Sequence, residues 1–389
     1  MTVSLILIGF GNVAQGLAEV LNSHAYTLKE KYGLNIKVTA IVDRSGAAVS
    51  EAGINLTKAL EVKRRLGSIS AMKSIGKPGL SAVEVIEESN GDIVVEATSN
   101  NLESGEPGLT HIKRSLRTGK HVVTTNKGPL ALALPQLLEI ARGNGVELRF
   151  SGAVGGAMPI LDFARRCLCG DEILSIMGIL NGTTNYILWS MSERGITMSE
   201  AIAEARKLGY AEENISYDIN GLDVASKLVI IANWVMGYEV SLKDVNVKGI
   251  GNVSLEDVIS AKRKGFAIRL IGSISHGKIK VSPETIPLND PLCVSSNLNA
   301  VIFECALSGR HLIIGCGAGG RETASSILRD IIGISSGKSA NCQKSNVTGS
   351  SKNLYVHPYK TEGILFRGSI NRFGGRIYAY REKGRFIRG

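Results

Sequence analysis

Apolar positions in the first 150 residues fall in short, nearly unbroken blocks. Residues 3–10 hold Val3, Leu5, Ile6, Leu7, Ile8 and Phe10, the pattern of a strand covered on both faces. Ile36–Val42, Asp92–Glu96 and His121–Thr124 repeat it. Helical periodicity separates the blocks, as at Leu17, Val20 and Leu21. Strand alternating with helix predicts an α/β fold with a doubly wound, Rossmann-type parallel sheet. Past about residue 150 the texture changes. Residues 198–208 and 223–236 read as helices, 265–287 as strands, and a Gly cluster at 315–320 opens a helical pattern from Thr323 to Ile332. These shifts predict a first domain over 1–145, a second α/β domain over 146–310, and a segment, 311–335, that returns to the first.

Composition narrows the class. The chain has 389 residues, 44% hydrophobic and 21% charged, which suits two or three globular domains. No apolar run approaches the roughly 20 residues that span a bilayer. The opening MTVSLILIGFGN has no basic residue ahead of its apolar run and no small-residue cleavage site, so it reads as a strand and not a signal peptide. The six cysteines form no paired-ligand spacing, and reduced thiols point to the cytoplasm. The net charge of +10 is local: from Lys338 onward eleven Lys and Arg face only Glu362 and Glu382. The body is therefore nearly neutral, and no specific nucleic-acid partner is expected. The segment 336–389 shows no clean periodicity and reads as a disordered basic tail.

Several segments carry chemistry. Gly9-Phe10-Gly11-Asn12-Val13-Ala14 follows the first strand and opens a helix. Glycines there permit a tight turn and close approach of a pyrophosphate, which the helix N-terminus attracts. Asp43 closes the second strand, where an acid can accept from a ribose 2′-hydroxyl, while Arg44 beside it can hold a 2′-phosphate. The two cues leave NAD against NADP open. Lys127, at the end of the strand 121–124, lies where open α/β sheets bind ligands and could meet an oxyanion or a carboxylate. If a helix starts near Gly221, Asp223 and Lys227 share one face, with Asp218 and Glu212 upstream. The acids can hold an ammonium, and the lysine can move a proton beside a carbonyl. An ordinary strand-to-helix turn is the plain alternative for the Gly9 motif, and solvated surface charges are the plain alternative for Asp43 and Arg44, for Lys127 and for the 209–227 segment. In Asn181–Tyr186, Thr183 or Thr184 could be an N-cap. Ser151–Pro159 reads as a flexible small-residue loop whose carbonyls could face a ligand or a monovalent cation.

Taken together these segments resemble homoserine dehydrogenases over roughly residues 1–335. The markers are GFGNVA, EATSNN (96–101), VVTTNKGPLA (122–131), AVGGAMPI (153–160), GILNGTTNYIL (178–188), GYAE (209–212), the D-x-x-G-x-D-x-A-x-K segment (218–227), NDPL (289–292), NAVIF (299–303) and GCGAGGRETAS (315–325), in family order. The resemblance implies interconversion of L-homoserine and L-aspartate 4-semialdehyde with NAD or NADP, on the branch to threonine and methionine, by a homodimer. It implies that Gly9, Gly11, Asn12 and Val13 hold the pyrophosphate, that Thr98 lies near the nicotinamide ribose, and that Gly317 and Gly319 approach the nicotinamide. Glu212 and Asp223 would bind substrate, Asp218 would shape the site, Lys227 would exchange the proton and Lys127 would assist.

The chain also departs from the family. Where many members carry a glutamate it has Ser151, which weakens the case for a Na⁺ or K⁺ on the carbonyls of Val154 and Gly156. Cys316 replaces a usual proline. The tail is shorter than a threonine-binding ACT domain, so no such module is expected. Another Rossmann oxidoreductase of an amino-acid semialdehyde, or a nucleotide-binding protein without turnover, is the competing reading.

Overall fold

The computed structural model describes residues 1–211 and 214–337, with the backbone of 371–373 and 376–378. The first half runs β1 (Thr2–Ile8), α1 (Asn12–Tyr32), β2 (Asn35–Asp43), β3 (Gly46–Val49), α2 (Leu56–Leu66), β4 (Gly76–Pro78), α3 (Ala82–Glu88), β5 (Ile93–Glu96), α4 (Gly108–Arg117), β6 (His121–Thr124), α5 (Lys127–Gly143) and β7 (Leu148–Arg149). The seven strands form one sheet in the order β4-β3-β2-β1-β5-β6-β7. β2, β1, β5, β6 and β7 are parallel, as the apolar blocks require. β1 and β5 are almost wholly buried between the helical layers.

The far edge differs from the all-parallel expectation. Arg44 and Ser45 form a two-residue turn, so β3 runs antiparallel to β2, and β4 antiparallel to β3. Gly46 makes the turn possible. Its φ is +133°, and a Cβ there would lie 2.4 Å from the Lys77 carbonyl oxygen. The long gap between Gly11 and Asp43 is taken up by α1, which has 21 residues.

The second half runs α6 (Ser151–Gly155), α7 (Ile160–Asp162), β8 (Ile173–Ile179), α8 (Gly182–Arg194), α9 (Met198–Lys207), α10 (Ser216–Ile219), α11 (Leu222–Val235), β9 (Val245–Val247), α12 (Leu255–Arg263), β10 (Phe266–Ser275), β11 (Lys278–Pro287), β12 (Leu298–Cys305) and β13 (Gly309–Cys316). Its sheet order is β13-β12-β8-β10-β11-β9, antiparallel except for β11 with β9. Val224 through Ala232 are buried without a break, because α11 lies between the sheet and neighbouring helices. Gly272 of β10 lets it in: a Cβ there would meet Val224 at 2.7 Å.

Both sheets run slightly past the expected boundaries at 145 and 310, to Arg149 and Cys316. The chain then returns through α13 (Gly320–Ser335). Two glycines let α13 pack tightly on α1, since a Cβ at Gly16 would lie 2.7 Å from the Gly320 carbonyl oxygen. Ala324, Ile327 and Ile331 join Leu17 and Leu21 in one core. Residues 345–389 form a separate unit, of which β14 (Asn371–Phe373) and β15 (Arg376–Tyr378) are described as an antiparallel pair. The rest of the expected basic tail lies outside the described residues. Among those residues, no helix is long and apolar enough to cross a membrane.

Candidate active site

The carboxyl ends of β1, β5 and β6 present three chain reversals side by side. Gly9 has φ +88°, and a Cβ on it would lie 2.6 Å from the Ala97 carbonyl oxygen. Nothing crowds Gly11, the N-cap of α1. No side chain caps this helix, and its first turn holds no acid. The backbone N–H groups of Asn12 and Val13 thus remain for an anion, and the cradle fits a pyrophosphate. The late Gly cluster comes to the same place. Gly319 has φ +128°, and a Cβ at Gly320 would lie 2.8 Å from the Asn12 carbonyl oxygen. The Ala157 amide donates to the Cys316 carbonyl at 3.2 Å, which brings the 151–158 segment beside Gly317.

A charged cluster forms where the start of α5 packs against α11. Lys127 is the first residue of α5; Asp223 and Lys227 stand four apart near the start of α11. Asp223 Oδ1 lies 3.1 Å from Lys127 Nζ, and its Oδ2 lies 2.8 Å from Lys227 Nζ. Lys227 Nζ also donates to the Leu180 carbonyl at 2.6 Å, and the residue is only 6% exposed. Asn181 bridges the two acids: its Nδ2 donates to Asp218 at 2.5 Å and to Asp223 at 2.9 Å. Burial alone would raise the Asp223 pKa, but Lys127, Lys227 and Asn181 outweigh it and hold the group ionised. Asp218 behaves oppositely. Desolvation and the negative charge of Asp223 push it up to about 6, against the Asn181 hydrogen bond and the two lysines. Neighbouring carboxylates with pKa values driven apart are typical of working sites.

The remaining sequence candidates fare differently. Asp43 Oδ1 accepts from the Ser45 amide at 2.8 Å and the Ser45 hydroxyl at 2.5 Å. Its Oδ2 accepts from Lys63 Nζ at 2.6 Å and the Ile69 amide at 2.9 Å. Four donors fill a carboxylate, so the expected hydrogen bond to a ribose hydroxyl has no lone pair left. Arg44, next to it, is exposed. The Thr98 hydroxyl faces inward and donates to the Glu96 carboxylate. Glu212 lies outside the described residues. The N-cap of α8 is Asn181, and neither threonine, because Asn181 Oδ1 accepts from the Thr184 amide at 2.8 Å.

The 151–158 segment is no loose loop, since α6 occupies its first five residues. Polar side chains of α13 hold it. Asp330 accepts from the Ser151 amide at 2.9 Å and the Ser151 hydroxyl at 2.7 Å, and Ser326 donates to the Gly156 carbonyl at 2.5 Å. Desolvation pushes Asp330 up to about 6. Of the two carbonyls expected to face a cation, that of Gly156 already has a donor, and the Ser151 hydroxyl points at Asp330. Among the described residues no group of three or more His, Cys, Asp or Glu is placed to hold a metal ion. Cys167, Cys293, Cys305 and Cys316 are free thiols.

Sequence reading passed over three contributors. Asn181 and the Leu180 carbonyl lie at a strand-to-helix junction, where the polar cluster 181–185 was the available signal. Glu96 looked like the ordinary end of a strand.

Comparison with known proteins agrees with this geometry. Residues 9–151 match the family described as homoserine dehydrogenase, NAD binding domain, and residues 159–332 match the family described as homoserine dehydrogenase. A homoserine dehydrogenase of Methanocaldococcus jannaschii is 47% identical over 330 residues, covering 85% of this chain and 98% of the relative. An NAD(+)-dependent homoserine dehydrogenase of Pseudomonas canavaninivorans is 36% identical, covering 85% and 95%. A hyperthermophilic archaeal homoserine dehydrogenase solved with NADPH superposes with TM-score 0.76 at 31% identity, covering 87% of this chain and 98% of that one.

Proposed function

The chain belongs to the homoserine dehydrogenase family and interconverts L-homoserine and L-aspartate 4-semialdehyde with NAD or NADP, and we propose that Lys227, Lys127 and Asp223 carry its chemistry. The observation behind this assignment is the shared carboxylate: buried Asp223 meets both lysines. When bound, the nicotinamide supplies or accepts the hydride. Gly9, Gly11, Asn12 and Val13 hold its pyrophosphate, with Phe10 buried beneath the turn. Thr98, Gly317 and Gly319 flank its reactive end.

Lys227 has three N–H donors. Two are spent on the Leu180 carbonyl and Asp223, and the third is aimed by them at the substrate oxygen. In the reducing direction that N–H stabilises the growing negative charge and then gives up the proton. Lys127 supplies a second positive charge from the other side of Asp223. Asp218, Asp223 and Glu212 receive the amino group of the substrate. A monovalent cation on the Val154 carbonyl would stiffen the 151–158 segment.

NADP is the better cofactor. Asp43 is filled and paired with Lys63, while exposed Arg44 leaves positive charge where a 2′-phosphate would lie. The working form is a homodimer built on the second domain, where Leu174, Leu307 and Ile314 expose large apolar surface. Free thiols and the absence of a membrane-crossing helix among the described residues suit the cytoplasm. Following absorbance at 340 nm with L-homoserine and either cofactor tests the assignment directly. Turnover by the wild type that Lys227→Ala abolishes is expected. A Lys227→Ala enzyme with near-normal turnover would overturn the assignment.

A further inference from the structure

Glu96 is completely buried at the end of β5, yet among the described residues no lysine or arginine is seen paired with it within 4.0 Å. The nearest basic group is His111 Nδ1, at 3.9 Å. A buried carboxylate is costly unless hydrogen bonds replace its water. Here they come from both sides. The Thr98 amide donates to Oε1 at 3.1 Å, the Thr98 hydroxyl donates to the same oxygen, and the Thr124 hydroxyl donates to Oε2 at 2.9 Å.

A carboxylate can only accept, so both hydroxyl protons must point at it. The hydroxyl lone pairs then face outward to one residue, Asn126. Its backbone amide donates to Thr124 Oγ at 3.1 Å, and its Nδ2 donates to Thr98 Oγ at 3.4 Å and the Ser99 carbonyl at 3.3 Å. Asn126 in turn caps α5, its Oδ1 accepting from the Gly128 amide at 3.2 Å, while Asn100 Oδ1 accepts from the same amide at 2.7 Å. Lys127 sits between these two anchored residues.

We propose that Glu96 is a positioning residue, whose carboxylate fixes the 97–101 loop beside the Gly9 turn and the helix start that carries Lys127 as a single unit. Glu96 touches neither substrate nor cofactor and acts through Thr98, Thr124 and Asn126. The inference rests on the roles given above to Lys127 and Thr98. Hydride and proton transfer require both sides of the site to be placed together, and a displacement of about 1 Å can cost up to about 100-fold in rate.

The test uses the full-length enzyme and four variants: Glu96→Gln, Thr124→Val, the double variant, and Lys127→Met. Glutamine presents one donor where the carboxylate had only acceptors, so one hydroxyl must turn round. Glu96→Gln is expected to lower kcat about tenfold or more and to raise the cofactor KM, with near-UV circular dichroism unchanged. Thr124→Val, which removes one hydroxyl, also carries the test if Glu96→Gln does not fold. It should lower kcat similarly, and the double variant should be no worse than the poorer single one, because both break the same chain of hydrogen bonds. Losses that multiply, or near-normal kcat in either single variant, would overturn the proposal. Lys127→Met separates the two readings. If it is impaired while Glu96→Gln and Thr124→Val are normal, this proposal alone fails; if it turns over normally, the role of Lys127 fails too and takes the proposal with it.

Discussion

Two aspartates, one in each half of the fold, meet lysines at nearly the same distance and do opposite work. Asp43, at the tip of β2, lies 2.6 Å from Lys63; Asp223, in the first turn of α11, lies 2.8 Å from Lys227. Every other lone pair of Asp43 is taken by Ser45 and Ile69, and the cluster closes on itself as the brace of a tight turn. Asp223 divides its charge between two lysines that come from different halves of the fold. Burial opposes ionisation at both acids, and the donors overcome it at both. The difference therefore lies in what each lysine has left over. Lys63 gives a second hydrogen bond to the Gly67 carbonyl, in its own helix cap. Lys227 gives its second to Leu180, across a junction between sheet and helix. An ion pair becomes chemistry when the partners that hold it also aim a spare donor into a pocket.

Substituting the two lysines should produce the widest divergence. Lys227→Met is expected to lower kcat about 1,000-fold, within the range of a lost general acid, while cofactor dissociation constants stay within about threefold. Lys63→Met should leave kcat within about threefold and loosen the β2 turn instead, since it leaves the Asp43 carboxylate without its cation. Stopped-flow turnover and fluorescence titration of the cofactor would read both. Equal losses in kcat would dissolve the distinction.

Next come the acids. Asp223→Asn should lower kcat by roughly 100-fold, because the two lysines lose the charge that holds them side by side. Asp43→Asn should leave kcat nearly unchanged but lower stability by about 1–3 kcal/mol, as buried donors lose their acceptor. Denaturant unfolding of both proteins gives the comparison. A smaller effect belongs to Arg44. Replacing it with alanine should shift the NADP-to-NAD ratio of kcat/KM by about tenfold toward NAD, the loss of one charge-assisted phosphate contact. The same ratio in Asp223→Asn should not move.

The same contrast explains what could be read from the sequence. The parallel strands were legible because burial on both faces writes unbroken apolar blocks, as in Leu5–Ile8. The antiparallel β3 and β4 were not, because they hang on a two-residue turn whose one requirement is Gly46. The pair Asp223 and Lys227 was visible through its i,i+4 spacing. Its partner Lys127, 96 positions earlier, was suspected only from lying at a strand end, and the spacing says nothing of the Asp223 that joins them. The surroundings of Asp43 were illegible for a related reason: a motif names the acid, whereas its donors Lys63 and Ile69 are brought in by the fold. Asn181 looked like one polar residue in a cluster until its amide was seen to bridge two acids.

The pH dependence offers the finest test, because only one of the two clusters should titrate near neutrality. Asp43 is held below the usual carboxylate range, so the β2 tip stays ionised at any working pH. Asp218, pushed up to about 6, gains its proton as pH falls through that value and loses its hold on the substrate ammonium. kcat/KM should therefore show an acid limb near pH 6, falling up to about tenfold per unit below it. Unfolding does not explain such a limb. A carboxyl whose pKa is higher in the folded than in the unfolded chain binds protons preferentially when folded. Its contribution to stability is complete below the unfolded value, near 3.8, and is lost as pH rises through about 6. Asp218 should thus add stability, not remove it, over the window in which activity falls. Asp330 titrates in the same range, also near 6, and adds to that stability without touching the reaction. Asp330→Asn should keep the acid limb while flattening the stability profile. Asp218→Asn should remove the limb, and its kcat/KM at pH 8 should fall toward the value the wild type shows below pH 6.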